Sequence, residues 1–108
     1  MIQLRIYTLR TVDALDRYAT IHWARHISSL DAFGVTTHGI WTERAGRDGV
    51  ANRLVALISY PDGADPGKLT SEYLASPEFE ADMKGFDSQD IVGVETILLE
   101  ATAASPLY

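Results

Sequence analysis

The chain has no cysteine among its 108 residues, which removes disulfides, thiolate nucleophiles and thiolate metal sites together. Basic residues are scarce: nine stand against fifteen acidic ones, a formal net charge of −6. A field of that sign opposes approach to phosphate backbones and anionic lipid, so neither nucleic acid nor a membrane is expected as a partner. No apolar run comes near the ~20 residues that a bilayer requires. Met1 to Ile6 alternates where a secretion signal would be continuously apolar. A cytoplasmic location is the expectation. Internal repeats and low-complexity tracts are also missing. Chemistry has to come from His, carboxylates, Tyr, Arg or an added group.

What is present is an ordinary globular composition, 46% hydrophobic and 22% charged, in a chain of the right size for one core. The expected domain is 1–101, followed by a C-terminal tail, 102–108. Ile2, Leu4 and Ile6 alternate with Gln3, Arg5 and Tyr7, the period of a two-faced strand. Leu15, Ala19, His22, His26, Leu30 and Phe33 then recur every three or four residues, predicting a helix over Val12 to Phe33 with Thr11 or Asp13 as N-cap and Gly34 as stop. Val35 to Arg44 and Asn52 to Tyr60 read as strands joined through Arg47-Asp48-Gly49. Asp65-Pro66 and Ser76-Pro77 start helical turns, with Phe79, Met83 and Phe86 on one side. Ile91 to Ala101 closes the chain as an apolar strand.

This order, β-α-β-β-α-β, is the split βαβ of an α+β ferredoxin-like fold: a four-stranded antiparallel sheet with its helices on one face. The last strand is apolar on both sides, through Val92, Val94 and Leu98 and through Ile91, Ile97 and Leu99. Both faces therefore gain from leaving water, at about 25 cal/mol per Å² of apolar area. A homodimer packed sheet to sheet into an α/β-barrel is the economical cover.

His22 and His26, four apart on the helix, turn towards the sheet. An imidazole buried without a hydrogen bond costs about 1–3 kcal/mol, so each needs a core acceptor or a cavity. They read as a hydrogen-bonded structural pair, as general acid/base groups, or as ligands with His38 or Glu95 as a third. The residues between them, Trp23-Ala24-Arg25, lack the Glu of a zinc protease helix, and no tight metal is expected. Unbroken alternation places Gln3, Arg5 and Tyr7 under the histidines, with Trp41, Asn52 and Glu95 on the same face. Arg5 and Glu95 could equally form a buried ion pair, and Tyr7 and Trp41 could be plain core. Tyr18 and Trp23 flank the helix stripe, and the acids from Glu72 to Asp90 read as a solvated face.

The opening Leu4-Arg5-Ile6-Tyr7-Thr8-Leu9-Arg10 and the segment Gly39-Ile40-Trp41-Thr42-Glu43 resemble the R-x-Y-x-L and G-x-W-T-E signatures of the NIPSNAP family, within the dimeric α/β-barrel superfamily. Asn52, Tyr60, Leu74-Ala75-Ser76-Pro77-Glu78-Phe79, Leu98-Leu99-Glu100 and Ser105-Pro106-Leu107 extend the likeness over almost the whole chain, with Thr11-Val12 and Phe79 as departures. The superfamily includes cofactor-free quinol monooxygenases, haem-degrading enzymes, muconolactone isomerases and polyketide cyclases. The resemblance thus implies a pocket for a small hydrophobic or cyclic metabolite, worked on by a cofactor-free monooxygenase or an isomerase or cyclase through histidine proton transfer. The residues expected to carry this are His22, His26 and Tyr7 in catalysis and Arg5, Trp41, Asn52, Glu95 and Tyr18 in substrate binding. The alternatives are a non-catalytic ligand-binding or signalling module and a haem- or metal-dependent oxidative enzyme.

Overall fold

The computed structural model describes residues 1–43 and 52–107. The alternating opening forms β1 (Ile2–Leu9). Thr11 then caps a helical stretch, its Oγ1 accepting from the Ala14 N–H at 3.0 Å. That stretch comprises α1 (Val12–Arg17), a π-helical turn (Tyr18–His22) and α2 (Trp23–Ala32), and Gly34 ends it at φ +81°. β2 (Thr36–Thr42) and β3 (Arg53–Ser59) follow. The expected Arg47-Asp48-Gly49 turn between them lies outside the described residues.

Two short helices succeed, α3 (Pro66–Leu74) and α4 (Pro77–Asp82). Each has Pro at its first position and an acceptor before it: Asp65 takes the Lys68 N–H, and Ser76 takes the Phe79 N–H, both at 3.2 Å. A 3₁₀ turn (Ser88–Asp90) leads into β4 (Ile91–Leu99).

The strands form one antiparallel sheet in the order β2-β3-β1-β4, the ferredoxin-like arrangement. Leu54, Ala56 and Ile58 of the inner strand β3 are wholly buried, and with Leu9, Leu15, Leu30 and Trp23 they make the core beneath the helices.

Register decides which side chains meet. Arg5 pairs with Ala56 and Thr96, and Tyr7 with Leu54 and Val94, so all of these share the helix-covered face. Ile6 pairs with Val55 and Glu95, and Val55 with Trp41, on the other face. The placement of Trp41 and Glu95 alongside Arg5 is therefore corrected: pairing gives them the parity of Ile6, not of Arg5. The Arg5–Glu95 ion pair is ruled out with it. An irregularity between Thr37 and Gly39 lifts His38 out of strict alternation, and its Nε2 meets Ser59 Oγ at 2.8 Å, away from the helical histidines.

No helix or second sheet among the described residues covers the face that carries Leu4, Ile6, Val55 and Leu57. These four are half-buried, while Trp41, Ile97 and Leu99 on the same face are exposed. No described helix is long and apolar enough to cross a membrane.

Candidate functional site

Between the helices and the sheet lies a cavity of about 400 Å³, within the range that takes a drug-sized ligand. β1 supplies Gln3, Arg5 and Tyr7, the helical stretch supplies Tyr18, Trp23 and His26, α3 supplies Thr70 and Tyr73, and Phe79, Met83, Val94 and Thr96 complete most of the wall. The exposed Val94 and Thr96 put one side of it against the edge strand.

The π turn shapes this wall. The Trp23 N–H donates to the Tyr18 carbonyl five residues back, widening the helix by one residue per turn. The extra residue joins the stripe Leu15, Tyr18 and His22 to the stripe Trp23, His26 and Leu30 on one side of the stretch. Here Tyr18, His22, Trp23 and His26 are all buried. Trp23 Nε1 has no acceptor at hydrogen-bonding geometry among the described residues, although the indole still exerts a small downward pull on the Tyr18 phenol. Burial pushes the Tyr18 phenol well above its ordinary pKa.

Arg5 is 8% exposed. Its Nε donates to Gln3 Oε1 at 2.7 Å, Nη1 to the Tyr7 hydroxyl at 3.4 Å, and Nη2 to the Tyr60 hydroxyl at 3.0 Å and to Thr70 Oγ1 at 3.2 Å. Tyr60 in turn donates to Gln3 Oε1 at 3.0 Å. Burial pulls the guanidinium pKa down, but Tyr7 and Tyr60 outweigh it and the net direction is up, so the charge stays. Every partner is neutral.

On the other wall the Tyr73 hydroxyl donates to Asp82 Oδ2 at 2.6 Å and stands 2.5 Å from His26 Nδ1. A hydroxyl has one proton, and the carboxylate can only accept it. His26 must then donate its Nδ1–H to the Tyr73 oxygen, which leaves the lone pair on Nε2. Burial lowers the His26 pKa to about 4 against the pull of Asp82, so the ring is neutral. The 3.4 Å approach of His26 Nδ1 to Asp82 Oδ2 is thus a polar contact rather than an ion pair. Burial raises Asp82, but hydrogen bonds from Tyr73, Ser29 and His26 win and hold its carboxyl below the usual range. Burial and Asp82 together raise the Tyr73 phenol. Phe79 stacks on the His26 ring at 5.8 Å and 8°.

Of the residues expected from sequence, His26, Tyr7, Arg5 and Tyr18 come together in the cavity wall. His22 lies behind it: its Nδ1 donates to the Asp82 carbonyl at 2.8 Å, and its ring packs on Phe86. Asn52 enters β3 at φ +65°, its carbonyl accepting from the Leu9 N–H at 2.8 Å, and does not line the cavity. Trp41 and Glu95 are on the far face. Asp82, read as part of a solvated acidic face, is 6% exposed; it lies three residues after Phe79 and four before Phe86, a spacing that signals an inward position. Tyr73, four after Leu69, carries the same signal. Trp23, three before His26 and seven before Leu30, carries it too; the π turn that joins this stripe to Leu15, Tyr18 and His22 is not written in a 3.6-residue period.

The NIPSNAP family model matches residues 2–106. The chain belongs to the NIPSNAP family. Solved structures agree on the architecture. A NIPSNAP-like domain protein from Burkholderia xenovorans is 23% identical with a TM-score of 0.76, covering 97% of this chain and 87% of that one. A NIPSNAP family protein from Agrobacterium tumefaciens is 18% identical with a TM-score of 0.77, over 99% and 97%. An antibiotic biosynthesis monooxygenase is a remoter likeness, 10% identical with a TM-score of 0.60, over 94% and 99%. No curated protein matches the sequence. In this NIPSNAP chain, Arg5 and Tyr7 of the opening signature line the cavity, while Trp41 of the second signature lies on the uncovered face, its ring folded over Gly39.

Proposed function

We propose that this NIPSNAP protein is a homodimeric enzyme that binds a small, largely apolar cyclic metabolite in the cavity and transforms it by proton transfer through His26, without a cofactor. The observation that carries the reading is the neutral His26, held by Tyr73 and Asp82 in one tautomer and forming part of a ligand-sized wall. A base fixed by a third group is the usual arrangement for acid/base work. Its low pKa makes it weak in the empty cavity, and negative charge developing on a bound substrate would raise it. His22 acts as a positioning residue, tying the α2 side to the end of α4 through the Asp82 carbonyl.

The fold likeness to an antibiotic biosynthesis monooxygenase supports oxygen chemistry as the first to try. In such a reaction the substrate supplies the electrons: a ring CH₂ becomes C=O, and the second oxygen atom leaves as water. Ring isomerisation or cyclisation needs the same proton transfer and no oxygen. The uncovered apolar face supports the dimer, since a second copy would take Leu4, Ile6, Val55 and Leu57 out of water.

The test is turnover of hydroxylated polycyclic compounds with a ring CH₂ set between aromatic rings, followed by absorbance and oxygen uptake with no cofactor added. His26→Gln is expected to lower kcat by about 10²–10⁴-fold while leaving ligand binding in place. A folded His26→Gln protein with the wild-type rate would sink the proposal.

A further inference from the structure

Among the described residues Arg5 is the sole charged side chain lining the cavity, and no acid lines it, in a chain with fifteen acids. Buried charges are ordinarily paired, because an ion taken from water without a counter-charge is costly. No carboxylate among the described residues pairs with this one: its four hydrogen bonds go to an amide and three hydroxyls. A guanidinium has five N–H donors. The four bonds leave a second hydrogen on Nη1, and the Nη1 bond that is made, to Tyr7 at 3.4 Å, is the longest of the set. Trp23 Nε1, also on the cavity wall, is a buried donor with no acceptor at hydrogen-bonding geometry among the described residues. The polar part of the cavity therefore offers positive charge and open donors, and the rest of the lining is mainly aromatic and aliphatic.

We infer that the cavity's ligand is a monocarboxylate, an apolar ring compound whose carboxylate is bound by Arg5. This rests on the reading of the cavity as a ligand site and adds the chemical class of what enters it. With His26 neutral, one cation balances one negative charge, which fits a carboxylate better than a phosphate dianion. A carboxylate is already ionised at neutral pH, so it arrives as the counter-charge that Arg5 lacks. One of its oxygens can accept the open Nη1–H in a charge-assisted hydrogen bond.

The experiment is a titration of nitrogen-labelled protein, full chain, with two matched pairs: naphthoate and naphthamide, and an indole carboxylate and its carboxamide. The Arg5 Nε–H and Trp23 indole N–H signals report the cavity within the unmodified fold. The carboxylates are expected to bind at least about tenfold more tightly than the amides, to shift the Arg5 signal, and to lose that preference in Arg5→Gln. Amides that bind as well as acids, or an acid preference that survives in folded Arg5→Gln, would overturn carboxylate recognition and leave the cavity reading standing. If neither member of either pair shifts the cavity signals, the cavity reading fails and this inference with it. Should Arg5→Gln not fold, the wild-type preference and the Arg5 shift decide the matter.

Discussion

Tyr73 Oη lies 2.6 Å from Asp82 Oδ2 and donates its one proton there, so the hydroxyl that faces His26 can only accept. The α3 and α4 helices, through these two side chains, thereby set the protonation of a histidine on α2. Removing that hydroxyl in Tyr73→Phe strips Asp82 of a donor and His26 of an acceptor in a buried place. A loss of about 1–3 kcal/mol is expected, read as a lower urea midpoint with an unchanged slope.

The buried imidazole makes stability depend on pH. Unfolded, His26 takes a proton near its ordinary value of 6.5; folded, it resists until about 4. Between those values the unfolded chain binds more protons, so acid favours unfolding. The contribution is complete above about 6.5 and is lost as pH falls to about 4, by about 3 kcal/mol. Asp82, whose folded carboxyl is held low, adds a loss of the same sense at more acid pH. Urea unfolding over this range should show a slope that is markedly flatter in His26→Gln. Equal slopes would mean the imidazole is not shielded as described.

Leu54 on the inner strand is wholly buried beneath the helices. Leu54→Ala is expected to cost about 2–5 kcal/mol, the spread reflecting how far the site collapses. Chemical denaturation measures it directly, and a change under about 1 kcal/mol would contradict a packed core at this point.

If the uncovered face is the dimer interface, a charge there must break it. Leu57→Asp places a carboxylate among Leu4, Ile6 and Val55 without touching the cavity side. Sedimentation should show the dimer mass for the native chain and the monomer mass for the variant. A native chain that sediments as a monomer would remove the barrel from the proposal.

Much of the fold was legible in the residues. The two-residue alternation of Ile2 to Leu9, the helical spacing from Leu15 to Leu30, and Pro66 and Pro77 behind their capping acceptors are local signals, and each acts where it is written. The cavity was legible in half: His26, Tyr7, Arg5 and Tyr18 converge, because one helix face and one strand face must meet across a single layer. Trp41 and Glu95 were misplaced because relative strand register is not local. A strand's parity says which residues share its face, but cross-strand pairing decides which face of the neighbour they join.

By itself, then, the sequence determined the order of elements, the faces within each of them and the negative charge of the chain, all set by spacing and capping over a few residues. Tertiary structure alone decided that Asp82 meets Tyr73 and His26, and that the helical stretch takes a π turn ahead of Trp23. Among the described residues it also left Arg5 with neutral partners only. These outcomes depend on which groups from distant elements share one buried space, where the cost of an unmade hydrogen bond selects among arrangements that the local sequence leaves equal.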